Sequence, residues 1–385
     1  MEKLDKLHIV SESDGSSIPF LRGILTRSLQ KAGMTFEEAY ATASGLRNRL
    51  GGAGGLTTIQ LREKVADYLI EIGFGQYIEA YHHNSIEQSR VSVVTSDGSD
   101  SPFSKGQLAD SLAICALPQD SIYEVATAVE NELLAKDIAE VSTKDLTSRV
   151  LWFLRELVGN TSADNYNRWV EFSHQDRPLI ILIGGTTGSG KSSISSELAH
   201  SLDIVRTQST DMLREVMRLL IPERLLPTLH TSTFEAYASL PTADSDELGS
   251  DMINGYLTQS SQVAVGVEGV LGRSAQEQVS LIIEGVHLHP ELMRQIAEET
   301  DALVVPVLLA VLKAKRLKKR LKGRGHAIQT RRSERYLESF DQIWQLQSFL
   351  LSEADTFNVP IVPNDDEDQC LRAILQTVSS FVNKA

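Results

Sequence analysis

The chain has 385 residues, 42% hydrophobic and 23% charged, which is enough apolar content to bury a core and predicts two or three domains. A net charge of −14 argues against nonspecific binding to nucleic acid or a membrane, and the longest apolar stretch, Ala302 to Leu312, is broken by Pro306 and falls far short of the roughly 20 residues of a membrane span. Cys115 and Cys370 are too few for a disulfide framework or a zinc cluster, and the opening MEKLDKLHIV has no apolar signal core, so a cytoplasmic protein is expected.

The first half of the chain repeats itself. It reads SESDGSSIPFLRGILTRSL around Asp14 and TSDGSDSPFSKGQLADSL around Asp97. Asp14, Gly15, Pro19, Phe20, Gly23, Ser28 and Leu29 recur 83 residues later as Asp97, Gly98, Pro102, Phe103, Gly106, Ser111 and Leu112. With a small drift, TTIQLREKVADYLIE from Thr57 is echoed by STKDLTSRVLWFLRE from Ser142. Such a period predicts two tandem small domains rather than a solenoid. Each copy reads as a short β segment at a Ser/Asp/Gly turn followed by an amphipathic helix. A second helix starts near Thr35 or Gln119, with Phe36, Ala39, Tyr40 and Ala43 on one face. A third starts after Thr57 or Ser142, both good N-caps. This layout resembles the ATP-cone, a small regulatory nucleotide-binding domain, and gives ATP-cone-like domains at 1–90 and 91–172. The resemblance implies a regulatory nucleotide there. The family's basic pair before the Asp-Gly turn is replaced by Ser11-Glu12-Ser13 and Thr95-Ser96, so a scaffold that binds no nucleotide stays open. A linker is expected near His174 to Arg177.

From Pro178 the chain reads PLIILIGGTTGSGKSSISSELAHSL. Leu179 to Ile183 is apolar without alternation, as in a buried parallel strand. Gly185, Thr186, Thr187, Gly188, Ser189, Gly190, Lys191 and Ser192 then match G-x-x-x-x-G-K-[ST], and a helix follows with Ile194, Leu198 and Leu202 at helical spacing. In such a P-loop the glycines let backbone N–H groups curl around phosphate oxygens, and the helix N-terminus adds its dipole. These residues, with Ser193, are the expected ATP site. Lys191 reaches the β/γ-phosphates, and the Ser192 hydroxyl is a Mg²⁺ ligand. No Asn-Lys-x-Asp or Leu-Ser-Gly-Gly segment marks a GTPase or a transporter ATPase, and the 209 residues from Arg177 suit a small-molecule kinase domain at 177–385.

Asp203 to Ser209 reads as the second strand, with Asp211 opening a helix at its C-terminal end, where ligands of open α/β sheets sit. Asp211 there can take a substrate proton or hold the magnesium water shell, or simply cap the helix. Arg214, one turn on, is a candidate anion grip. Ser280 to Pro290 is a third strand carrying Glu284, a second candidate for Mg²⁺. His287 and His289 alternate on its exit and read as substrate or structural contacts. Asp301 to Leu312 is a fourth strand. Lys313 to Arg335 holds eleven Lys and Arg against one acid, a local +10 that leaves −24 elsewhere. Arg316, Arg320 and Arg324 follow at helical spacing, and Arg331 and Arg335 are similarly paired. Two arginine-bearing helices joined by a turn at Gly323 and Gly325 form the expected lid, which neutralises phosphate charge and excludes water. NVPIVPNDDEDQCLRAIL supplies a last strand ending at Asn364 and a final helix.

IGGTTGSGKSSISSELA, STDMLREVMR, LLPTLHTSTFEAY, IIEGVHLHP and the basic lid together resemble the 2-phosphoglycerate kinase family over most of 178–364. The resemblance implies an α/β P-loop kinase with a parallel sheet flanked by helices. It further implies that ATP and Mg²⁺ serve to convert 2-phosphoglycerate to 2,3-bisphosphoglycerate. It places LHTSTFEAY, with His230, on the substrate side. Two alternatives stay open: a kinase of another phosphorylated metabolite, related to inositol phosphates, and a nucleotide-sensing regulator without metabolite kinase activity. Asp211, Glu284 and the basic lid favour an enzyme, because a sensor needs neither a base nor a charge clamp. An oligomer is left open.

Overall fold

The computed structural model describes residues 8–10, 17–20, 22–50, 55–81, 91–95, 98–136, 138–240, 248–327 and 335–384. Contacts divide the chain into two units, Met1–Phe103 with Asn131–Leu146, and Ser104–Glu130 with Thr147–Ala385.

The first unit holds two small sheets of identical plan. In one, β1 (His8–Val10) lies between antiparallel β2 (Ser17–Pro19) and parallel β3 (Gly55–Thr57). In the other, β4 (Ser92–Val94) lies between antiparallel β5 (Asp100–Pro102) and parallel β6 (Glu140–Ser142). The repeat is therefore a repeat of topology, and Pro19 and Pro102 occupy equivalent register positions. Asp14 and Gly15 lie outside the described residues, as does Asp97; Gly98 is in the left-handed region at φ 83°. The helices α1 (Arg22–Lys31), α2 (Phe36–Arg49) and α3 (Thr58–Glu71) follow the first sheet's strands. Thr35 and Thr57 each make a capping box, with Glu38 and Gln60. Ser142 accepts the Asp145 N–H at 3.1 Å in the second copy. On α2 the buried stripe runs through Ala39, Thr42, Ala43 and Leu46, which leaves Phe36 and Tyr40 exposed on its rim and narrows the expected apolar face.

The second unit is built on a five-stranded parallel sheet. Its strands are β7 (Leu179–Gly184), β8 (Thr207–Ser209), β9 (Leu281–Gly285), β10 (Leu303–Ala310) and β11 (Ile361–Pro363), in the order β11-β10-β7-β9-β8. Every residue of β7, β9 and β10 is buried, as strands covered on both faces must be. The covering helices include α4 (Lys191–Ser201), α5 (Thr210–Leu220), α6 (Leu248–Glu277), α7 (Pro290–Glu299), α8 (Ala314–Ala327), α9 (Phe340–Thr356) and α10 (Glu367–Val382). Ile180, Leu182, Tyr256, Ile283, Met293 and Leu350 belong to the core between sheet and helices.

Two expected boundaries move. The second strand begins at Thr207, not Asp203, because Asp203 turns left-handed at φ 52° and the Ile204 N–H closes onto Ala199 O at 2.8 Å, ending α4. The glycine turn in the basic segment is absent: α8 runs through Gly323 and Gly325 to Ala327. Helical glycine costs about 1 kcal/mol, which the flanking Lys, Arg and Leu, good helix formers, offset.

Candidate active site

The chemistry-bearing residues collect at the C-terminal ends of β7, β8 and β9. β7 runs straight into the loop, and α4 leaves it from Gly190 with no side-chain cap. The first N–H groups of α4 are thus left for a ligand. Gly190 has φ 90°, and a Cβ on it would collide with Asn364 Nδ2, so glycine is required twice over. The Thr186 and Ser189 hydroxyls are buried without a hydrogen-bond partner. Lys191 is 8% exposed, its Nζ donating to Thr186 O at 3.0 Å. Ser192 Oγ donates to Glu284 Oε1 at 2.9 Å, so a hydroxyl from the first turn of α4 and a carboxylate from the end of β9 meet at the rim of the loop. Unpartnered donors in the loop and a paired oxygen donor set beside it fit MgATP, with hard oxygen ligands for Mg²⁺.

Asp211 stands across a 370 Å³ cavity that Thr187, Arg214, Thr233 and Tyr336 also line. The N-cap of α5 is Ser209, so Asp211 falls inside the first turn; its side chain is 66% exposed. Arg214 Nη1 donates to Leu229 O at 2.9 Å and Thr231 O at 2.6 Å, while its Nε is buried without a partner. Asp211, Arg214 and the phosphate loop are therefore brought together.

The remaining expected residues are spread out. His230 Nε2 lies 2.9 Å from Ile221 O and is occupied there. Arg316 pairs with Asp365 at 3.4 Å. Arg320 donates to Ser189 O at 3.2 Å and Asn364 Oδ1 at 3.3 Å, fastening α8 to the loop. Arg335 pairs with Glu235. The side chain of Arg324 and the whole of Arg331 lie outside the described residues. Neither Gln259 nor the buttressing role of Asn364 was expected from sequence. Asn364 is fully buried and its Nδ2 donates to Ser189 O at 2.8 Å. Gln259 sits in the buried stripe of α6, three residues after Tyr256 and four before Val263, and a polar residue in an apolar stripe is a signal that can be read.

His287 is structural: its Nδ1 meets Thr210 Oγ1 at 2.9 Å and its Nε2 meets Gln259 Oε1 at 3.1 Å. Burial pushes its pKa down to about 4, opposed by Asp211 and assisted by Arg214 and Lys191. A depressed folded value makes the unfolded chain bind the proton more readily, so stability is full above about pH 6.5 and falls as pH drops toward 4. The transition of this unit in urea is expected to lose about 2 kcal/mol between pH 7 and pH 5 from this residue. A His287→Asn variant that kept the same pH slope would refute the assignment. His289 caps α7 through Nδ1, which accepts the Glu291 N–H at 3.3 Å, and its ring stacks on Phe349.

Comparison with known proteins follows the same lines. The AAA domain family profile matches residues 181–341. The 2-phosphoglycerate kinase of Methanopyrus kandleri is 35% identical over 285 residues, 74% of this chain and 85% of that protein. Those of Pyrococcus furiosus and Methanocaldococcus jannaschii are 34% and 33% identical, each over 75% of this chain and 93% of theirs. These matches are longer than the whole segment from Arg177 onward, so they take in part of the helical region as well as the parallel sheet and its phosphate loop. On that breadth of identity, the chain belongs to the 2-phosphoglycerate kinase family.

Proposed function

We infer that the protein is an ATP-dependent kinase that phosphorylates the free hydroxyl of 2-phosphoglycerate, giving 2,3-bisphosphoglycerate. The observation that carries the reading is the placing of a solvent-facing carboxylate, Asp211, and a guanidinium, Arg214, in one cavity beside the phosphate loop. Bound MgATP supplies the phosphoryl group and its charge-neutralising cation. The loop N–H groups and Lys191 would hold the phosphates; Ser192 and Glu284 would hold Mg²⁺. Asp211 takes the proton of the acceptor hydroxyl as its oxygen becomes bonded to the γ-phosphorus, while the bond from that phosphorus to the bridging oxygen breaks and ADP leaves. Arg214, already anchored by two carbonyls through Nη1, presents its Nη2 to the acceptor's phosphate or carboxylate. Arg320 ties α8 to Ser189 and so holds the basic helix against the phosphate loop.

We further propose that the tandem N-terminal modules are ATP-cone-like domains at 1–90 and 91–172 that take a regulatory nucleotide, supported by their shared sheet plan. A cytoplasmic location is supported by two buried, unpaired cysteines. No helix among the described residues is long and apolar enough to cross a membrane.

The test is product analysis by mass after incubation with ATP, Mg²⁺ and either 2-phosphoglycerate, glycerate or an inositol phosphate. A bisphosphorylated glycerate is expected, with glycerate about 100-fold poorer in kcat/KM because the phosphate's charge-assisted bonds are lost. Turnover of the inositol phosphate alone would transfer the reading to that substrate class.

A further inference from the structure

A buried polar network lies behind the cavity. His287 and Gln259 are both almost fully buried, at 1% and 0% exposure. Gln259 Nε2 donates to the carbonyls of Thr228 and Thr231, the latter at 3.2 Å. Carbonyls only accept, so the amide can face one way: nitrogen to the loop, oxygen to the imidazole. That oxygen lies 3.1 Å from His287 Nε2 and requires a hydrogen there. A neutral ring protonated at Nε2 has a bare Nδ1, which then accepts the Thr210 hydroxyl at 2.9 Å. Thr233 Oγ1, 3.3 Å from Nε2, is a second acceptor for the same hydrogen.

Both ends of this chain of bonds adjoin residues that line the cavity. Thr210 is the first residue of α5 and Asp211 is the second. Thr231 O, held by Gln259, is the same carbonyl that accepts Arg214 Nη1 at 2.6 Å. One amide thus governs the seat of the carboxylate and the seat of the guanidinium.

We propose that Gln259 is a positioning residue for the acceptor side of the reaction, fixing the Nε2–H tautomer of His287 and, through it and the Thr231 carbonyl, setting Asp211 and Arg214 relative to each other. This rests on the kinase reading above. The network also keeps an imidazolium away from Asp211. Its Oδ1 is 3.9 Å from His287 Nδ1, and a protonated ring would pair with it. Burial, helped by the charges of Arg214 and Lys191 and opposed by Asp211, holds the ring neutral at pH 7. Gln259→Glu reverses this arrangement. It removes the donor to both carbonyls and puts a carboxylate against Nε2, favouring an imidazolium whose Nδ1–H turns toward Thr210 and Asp211. Gln259→Met keeps the volume and removes the polar link.

The experiment has two arms on the full chain. Nitrogen-15 NMR of the imidazoles at pH 7, with His287→Asn for assignment, is expected to show His287 neutral and protonated at Nε2. A ring protonated at Nδ1, or at both nitrogens, overturns the proposal. Steady-state kinetics of Gln259→Glu and Gln259→Met are expected to show kcat/KM for 2-phosphoglycerate down about tenfold or more, the scale of one buried hydrogen bond, with KM for ATP within about twofold. Unchanged kcat/KM in both variants, or an equal loss toward ATP, overturns it. Should Gln259→Glu fail to fold, the methionine variant and the wild-type tautomer decide. Wild-type turnover is measured first. Its absence would sink the kinase reading instead, and the tautomer would still judge the network.

Discussion

Lys191→Ala is expected to reduce phosphoryl transfer by about 10³-fold while leaving the protein folded, because it removes a preorganised cation from the place where phosphate charge develops. Lys191 is the sixth residue after Gly185 and stands at the first position of α4, so loop and helix together fix where its ammonium goes. The ammonium donates to a carbonyl of its own loop, Thr186 O, at 3.0 Å. Removing it leaves that carbonyl with the Ser189 N–H at 3.2 Å as donor, so the stability cost should be about 1 kcal/mol, the scale of one ordinary hydrogen bond. Turnover with 2-phosphoglycerate and thermal unfolding, measured side by side, separate the two effects. An alanine variant with wild-type turnover would remove the basis for a P-loop kinase.

Asp211→Asn should lower kcat by about 10² to 10⁴-fold, the range for a lost general base, with little change in KM for ATP. The amide preserves size and removes both the charge and the basic oxygen. Stability should hold to within about 0.5 kcal/mol, since the side chain is largely exposed and the cap position belongs to Ser209. A variant that is less stable yet equally active would return Asp211 to the helix terminus as an electrostatic contributor only. A rise in KM for 2-phosphoglycerate with unchanged kcat would make it a binding residue.

The two substitutions probe sites of different legibility. The phosphate loop could be read from sequence because it is local: β7, the glycine loop and α4 follow one another within 179–201. Backbone chemistry alone decides their conformation, through an apolar run for the strand, glycines where φ is positive and a helix that needs no side-chain cap. Asp211 was readable as a strand-end residue by the same rule, and the N-terminal repeat by its period. What could not be read is which residues of the other segments meet. Arg320 reaches Ser189 across 131 residues, and Asn364 reaches the same carbonyl across 175. His230, which the family resemblance put on the substrate side, is engaged by Ile221 O, whereas Thr233 of the same segment lines the cavity.

Sequence by itself determined the parallel α/β sheet, the phosphate loop, the tandem plan of the N-terminal half and the concentration of positive charge in one segment. Those follow from composition, period and short-range dihedral preference, all of which are properties of neighbours along the chain. Tertiary structure alone decided that Arg320 is spent on the loop carbonyl while Arg335 faces Glu235, and that Gln259 and His287 sit behind Asp211 and Arg214. The physical reason is that a buried donor must find an acceptor wherever packing places one. That choice depends on which strands and helices lie side by side, and distance along the chain does not encode it.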